Sequence, residues 1–548
     1  MLFSSLFAKT AEYEKLAHAL SAPGACALFG LPGSGRAMVY AALAKETGRF
    51  LCIVTPGEAE ATRFAGDLNA LGIPTAVFPA RDYVLRPIEG TAREYEYRRL
   101  SVLGDIVGGR LQAVCVPDEG LTQYTTPRAE FCNNTRTLHP GDTVPRTELT
   151  ALLYNAGYAR RAQVDGPGQF SIRGDIVDLY APDMKLPVRM EFWGDEIDTM
   201  HTFDLATQRR EDPIEKIYVS PAREVLFGSP AEAAELLRAF IKKFRGKKRT
   251  ALEACLATEL AQLDGGALPV NMDKYLAVRY PQPATLLDYF DDPLLVLEEP
   301  ASLREAERAT TYRRGEEISA LLQDGVLAAG LDNLYAENGY LWAQAANHRT
   351  ICAENFARSM PDIPLKDIVN APAHTLPAWG GEVTSLLEDL QPLCNGGAAV
   401  TVLAGTQRAA AGLAADLRTK GLLVTTDPDA APGAGLVQVL PGQLSAGCSV
   451  PFAKYALFTA RAFGISSTQK KKKRNKDALN SLSEIAVGDL VVHQNHGIGR
   501  YAGIQRMAVQ GVTKDYLRIE YDKKDVLYVP VTQLDLLSRY TAPNDSDN

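Results

Sequence analysis

Gly30-Leu31-Pro32-Gly33-Ser34-Gly35-Arg36-Ala37 has the glycine spacing of a phosphate-binding loop, set between the apolar run 26–29 and the helix-like stretch 38–44. In a working loop, backbone N–H groups cradle the phosphates, a lysine reaches the β- and γ-phosphates, and a Ser/Thr hydroxyl holds magnesium. Here Arg36 stands in place of the lysine and Ala37 offers no oxygen. Arginine keeps the charge, but as a planar fork rather than a compact point charge. A second part of the same chemistry follows the strand-like run 294–297. There Glu298 stands where an aspartate would hold magnesium, with Glu299 beside it and Pro300 next. Gly30, Gly33, Gly35, Arg36, Ala37, Glu298 and Glu299 together read as a degenerate nucleotide loop. A plain strand-to-helix turn and a residual nucleotide site are the other two readings.

Another cluster falls at 169–198. Arg173 and Arg189 lie on strand-like segments near Trp193, and arginine and tryptophan dominate binding hot spots. The plain alternative is a set of surface arginines satisfied by Asp175, Glu191 or Glu196, in the weak ion pairs usual on surfaces. His493 and His496 have no third ligand nearby, and zinc takes three or four, so turn and packing roles are expected for them. The run Lys470-Lys471-Lys472-Lys473-Arg474-Asn475-Lys476 has no apolar period and reads as a solvated linker.

The elements that must carry these residues follow from pattern. The chain has 548 residues, 46% hydrophobic and 23% charged, which suits a soluble protein of several domains. A net charge of −8 argues against coating DNA by bulk electrostatics, though not against local basic patches. Eight scattered cysteines without a C-x-x-C pair fit a reducing cytoplasm. No apolar run approaches a membrane span, and the start lacks a basic n-region. Residues 1–117 alternate buried strands with helical patterns, as in a parallel sheet with crossover helices. Residues 118–208 change to short alternating strands, an α+β insert, after which 209–345 complete the first domain. Residues 350–460 form a second small α/β domain, 461–482 a basic linker, 483–541 a small β-barrel, and 542–548 a disordered tail. The expected fold is therefore multidomain α/β, with a degenerate P-loop (helicase-like) parallel-sheet domain at its head.

The segments 169–180 and 187–198 closely resemble the module shared by the repair protein UvrB and the transcription-repair coupling factors. Segments 78–83, 91–100, 221–224 and 280–289 follow the order of the N-terminal half of the coupling factors. Segments 487–501, 516–521 and 527–531 are similar to their CarD-like (Tudor-like) RNA-polymerase-interacting domain. A UvrB-like module beside a degenerate loop favours the coupling factors over UvrB. UvrB would also carry an aromatic hairpin for gripping DNA after the strand 111–116, where 117–127 offers only a short connection.

The resemblance implies that Arg173, Arg189 and Trp193, the last where phenylalanine is often found, belong to a UvrA-binding surface. It implies a contact with the RNA polymerase β subunit through strand edges and flanking side chains, with Ile504, Met507, Leu517, Arg518 and Ile519 as candidates. No intact G-x-x-x-x-G-K-[ST] occurs in these residues. The expectation is a motorless adaptor without a cofactor of its own, ATP being bound in the full-length family by motor domains. Its partners would be UvrA and polymerase, with DNA touched only weakly or indirectly and no membrane, and the chain would be a cytoplasmic monomer. A stand-alone CarD-like transcription regulator and a residual P-loop ATPase using Arg36 and Glu298 remain the alternatives.

Overall fold

The computed structural model describes residues 10–86, 93–360, 363–380, 382–460, 487–493, 497–509, 512–521, 526–530 and 537–539. The linker 461–482, the tail 542–548, His496 and part of the 91–100 segment lie outside the described residues. Two compact units result, Met1–Gly464 and Ile465–Asn548.

The first unit is built on a seven-stranded sheet in which every pairing is parallel. Its order is Leu365–Asn370, Gly24–Phe29, Arg349–Glu354, Leu294–Glu298, Leu51–Thr55, Ala113–Pro117, Thr75–Val77. The central strands are buried from end to end, which explains their continuous apolar runs: helices cover both faces, as parallel sheets require. The sheet takes Arg349–Glu354 and Leu365–Asn370 from beyond residue 345, because those strands complete the pairing of Gly24–Phe29. The first domain therefore extends past the expected boundary.

The second α/β sheet, ordered His374–Leu376, Gly447–Val450, Tyr455–Thr459, Ala399–Leu403, Leu436–Leu440, Leu423–Thr425, packs directly on the first domain. Its Leu444, Cys448, Val450, Tyr455 and Leu457 share one core with Met38, Tyr40 and Leu43 of the helix Gly33–Thr47. That helix is apolar around most of its circumference because it is covered on both sides.

The insert is a six-stranded sheet ordered Arg210–Pro213, Glu196–Phe203, Val188–Trp193, Ile176–Tyr180, Gln169–Arg173, Ala159–Arg160. The strand Ile217–Val219 returns to pair with Arg136–Leu138, so the insert closes at 219 rather than 208. A helical subdomain follows, led by the hairpin of Pro230–Lys242 and Lys247–Asp264. The segment 117–127 holds a short helix, Asp118–Thr122, and two isolated bridges, Gln123 to Tyr335 and Thr125 to Ala284.

A buried ion network joins sheet, insert and helices. Arg99 donates to Glu224 at 2.7 Å, and Arg81 makes a two-pronged contact with Asp273 at 2.7 and 2.9 Å. Arg81 also lies 3.2 Å from Glu224. These residues come from 78–83, 93–100, 221–224 and the helical subdomain, so those sequence signatures converge on one structural joint.

The second unit contains a five-stranded antiparallel sheet ordered Val526–Pro530, Val512–Glu520, Gly497–Val509, Leu490–His493, Leu537–Arg539.

Candidate functional sites

The glycine loop turns at Gly30, whose φ of +90° favours glycine. A Cβ there would lie 3.1 Å from Ala371 O and from Pro372 Cα, so the loop is also held closely by the following segment. The helix begins at Gly33 behind Pro32, which offers no side-chain cap. Arg36, 2% exposed, points to the end of the strand Leu294–Glu298. Its Nη1 lies 3.2 Å from Glu298 Oε2 and 2.9 Å from Glu299 Oε1, while Tyr40 donates to Glu298 Oε1 at 2.5 Å. Burial pushes the Glu298 carboxyl upward and Arg36 opposes it. Burial alone would lower the Arg36 pKa, but Glu298, Tyr40 and Glu299 outweigh it and hold the pKa above its ordinary value.

The structure thus brings Arg36, Glu298 and Glu299 together. The chemistry is that of a closed ion network. The guanidinium that would face phosphate is committed to carboxylates, and Ala37 is fully buried. A Cβ on Gly33 would collide with the Arg63 guanidinium, and one on Gly35 would lie 3.1 Å from Cys448 Sγ. The Arg63 guanidinium thus lies against Gly33, and Cys448 of the second α/β sheet lies against Gly35. Arg36 and Ala37 therefore supply neither the compact lysine charge nor the metal-binding hydroxyl of a working loop. Sequence reasoning missed Tyr40, although its position one turn after Arg36 was a usable signal. Arg63 and Cys448 gave none.

On the insert, Val188, Met190 and Phe192 face the core, so Arg189, Glu191 and Trp193 face outward. Asp178 pairs across from Arg189 and is fully buried beneath the arginines. Arg189 grips it with Nε at 2.6 Å and Nη2 at 3.0 Å, and Arg173 Nη2 reaches it at 2.5 Å. The Phe203 ring lies 4.7 Å beneath the Arg189 guanidinium, and Gln208 O accepts from Arg189 Nη1 at 3.2 Å. The hydrogen bond to Asp178 holds the Arg189 pKa above its ordinary value.

The partner of both arginines is therefore Asp178, not Asp175, Glu191 or Glu196. Asp175 is taken by Arg146 and Glu191 by Arg210. Trp193 stands 83% exposed at the end of its strand, before the turn at Gly194. One face thus presents a fixed cation pair and a bare indole. Such a face suits recognition of a protein surface carrying carboxylates and an apolar pocket.

In the second unit, Leu517 and Ile519 are fully buried, and their strand is paired on both sides. They support the sheet and cannot themselves be contact side chains. Arg518 projects between them and pairs with Glu520 at 2.7 Å. Ile504 and Met507 lie on Gly497–Val509, which is also internal to the strand order. The outer strands among the described residues are Val526–Pro530 and Leu537–Arg539.

All eight cysteines are free. Among the described residues no group of His, Cys, Asp or Glu is placed to hold a metal, and no helix is long and apolar enough to cross a membrane.

These modules define a class: a chain that joins a UvrB interaction domain to a CarD-like/TRCF RID domain. The UvrB interaction domain profile matches residues 137–225, and the CarD-like/TRCF RID domain profile matches 485–541. Transcription-repair-coupling factors align along 94% of the chain, that of Bacillus subtilis (strain 168) at 28% identity over 529 residues. That of Staphylococcus haemolyticus is 26% identical over 536 residues, and that of Staphylococcus aureus (strain MRSA252) 25% over 534. The alignment spans 45% of each of these relatives, so the chain covers less than half their length. Together the modules, their order and these relatives fit the N-terminal half of a transcription-repair coupling factor.

Proposed function

We propose that these residues act as the adaptor portion of transcription-coupled repair, recruiting UvrA through the insert and engaging RNA polymerase β through the CarD-like module. The observation that carries this reading is the outer face of the insert. Asp178 holds Arg189 through two hydrogen bonds and Arg173 through one, and Trp193 stands bare four residues beyond Arg189 on the same outward face. Binding energy concentrates in such preordered arginines and aromatics, because little side-chain entropy is lost on association. The ion network at Arg36 supports a lobe used as a scaffold rather than an ATPase, with no nucleotide held at Gly30–Gly35 by this reading. Nucleotide-dependent thermal stabilisation would favour the ATPase alternative. The test is a bridging assay in which immobilised UvrA captures polymerase β only when the full chain is added. Capture of polymerase without UvrA binding would instead favour a stand-alone CarD-like regulator.

A further inference from the structure

The tip of the helical hairpin carries a concentration of positive charge that the adaptor reading does not use. Six of the eight residues from 242 to 249 are cations: Lys242, Lys243, Arg245, Lys247, Lys248 and Arg249. All six are exposed. Arg249 pairs with Glu253 at 2.8 Å, and no ion pair holds the other five among the described residues.

The tip is built rather than loose. Phe244, between the cations, stacks edge-on with Phe240 at 5.1 Å. Both rings press on Gly330, where a Cβ would lie 2.9 Å from Phe244 Cζ and 3.1 Å from Phe240 Cζ. The turn itself uses Gly246 at φ +58° and ψ −141°, a conformation that favours glycine. Lys247, Lys248 and Arg249 then open a helix of 18 residues with no acid in its first turn. This is the reverse of what the helix dipole favours, so the positive end of the dipole adds to the cations instead of being offset. Local choices that run against a helix's own stability are expected where a surface serves binding.

We propose that this hairpin tip binds the phosphate backbone of duplex DNA, without reading base sequence. Duplex DNA presents one negative charge per ~1.7 Å of axis, which suits several cations fixed on one short turn. The chain as a whole is acidic, with a net charge of −8 that already includes these six cations, so the tip would set the orientation in which DNA approaches. Choosing DNA over an acidic polypeptide rests on the coupling-factor reading. The contact is distinct from UvrA and polymerase binding and can fail separately from them.

The test is fluorescence anisotropy of a labelled 20-bp duplex with the full chain, over a range of salt concentrations. Two variants accompany the wild type: Lys243→Ala/Arg245→Ala/Lys247→Ala/Lys248→Ala, and alanine replacement of Lys470–Lys473. The wild type should show a log–log salt slope of about −3 to −5, at ~0.9 per phosphate contact. The tip variant should lose about 100-fold in affinity at 0.1 M salt, and its slope should flatten by about three units. Its thermal midpoint and UvrA capture should stay unchanged, since these side chains are exposed. DNA binding by the tip variant equal to wild type would overturn the proposal, as would loss only on removing Lys470–Lys473. Binding of poly-aspartate without binding of DNA would overturn it in favour of an acidic protein partner.

Discussion

Arg36 Nη1 lies 2.9 Å from Glu299 Oε1 and 3.2 Å from Glu298 Oε2, so the arginine that follows the glycine loop centres an internal ion network. Glu299 adopts φ +51°, unusual for a residue with a Cβ, and its N–H donates to Ala353 O at 2.8 Å while Pro300 starts the next helix. Removing the cation would leave two acids facing each other, one of them 2% exposed. Arg36→Ala should therefore destabilise the first unit by about 3–5 kcal/mol, as when one partner of a buried pair is deleted. Thermal or urea unfolding measures this. The double change Arg36→Lys/Ala37→Thr, which restores the missing groups by type, should still show no ATP-dependent rise in thermal midpoint, because Glu298 and Glu299 surround position 36 and position 37 is fully buried.

Asp178 and its two arginines should divide stability from recognition. Arg189 is 13% exposed in its side chain and doubly bonded to Asp178, whereas Arg173 is 47% exposed. Arg189→Ala should cost about 2–4 kcal/mol in the insert by leaving a buried carboxylate undercompensated. Arg173→Ala should cost less than about 1 kcal/mol, as exposed pairs do. Both should weaken UvrA capture. Unfolding curves read beside capture separate the two effects.

Asp118 supplies a pH dependence. It is 2% exposed, and burial pushes its carboxyl up to about 7, with Glu307 and Glu119 adding to the rise and Arg314 opposing it. Its Oδ1 lacks a hydrogen-bond partner. A carboxyl with a higher pKa folded than unfolded binds its proton more tightly in the folded state, so stability falls as pH rises from about 4 through about 7. Asp118→Asn should remove that fall. The variant should be about 2–4 kcal/mol more stable than wild type at pH 8 and close to it at pH 4. Denaturation midpoints at the two pH values check the sign.

In the C-terminal unit, neighbouring residues should behave oppositely. Leu517→Ala removes a fully buried side chain from a small core and should cost about 2–4 kcal/mol, seen as lost thermal cooperativity of that unit. Arg518→Ala should leave folding nearly intact, and any loss of polymerase binding would be read by pull-down.

Much of this architecture was legible in the sequence because parallel strands buried on both faces write themselves as continuous apolar runs. The alternation of Val188, Met190 and Phe192 with Arg189 and Glu191 likewise marked a half-buried strand. The glycine spacing marked a strand-to-helix turn, and Glu298-Glu299 at the end of a distant strand lie against it. What stayed hidden depended on long-range packing. Asp178 looks like any strand acid until two arginines close over it. The boundary near 345 was misplaced because Arg349–Glu354 is apolar enough for either sheet, and only its pairing with Gly24–Phe29 decides. Leu517 and Ile519 pointed to a contact by resemblance, but strand direction turned them inward. The basic tip at 242–249 was visible as charge. Its rigidity depends on Phe244 meeting Gly330, which no local pattern encodes.

The central claim is that the bare indole at the end of the strand carrying Arg189 is the UvrA contact. Trp193 is 83% exposed and lies outside every core cluster among the described residues, so its removal should leave the fold unchanged. Titrating UvrA against the full chain and against Trp193→Ala tests it directly. A loss of about 2 kcal/mol or more, roughly 30-fold in Kd, with an unchanged thermal midpoint is predicted for a hot-spot aromatic. Equal Kd values for the two proteins would contradict the account.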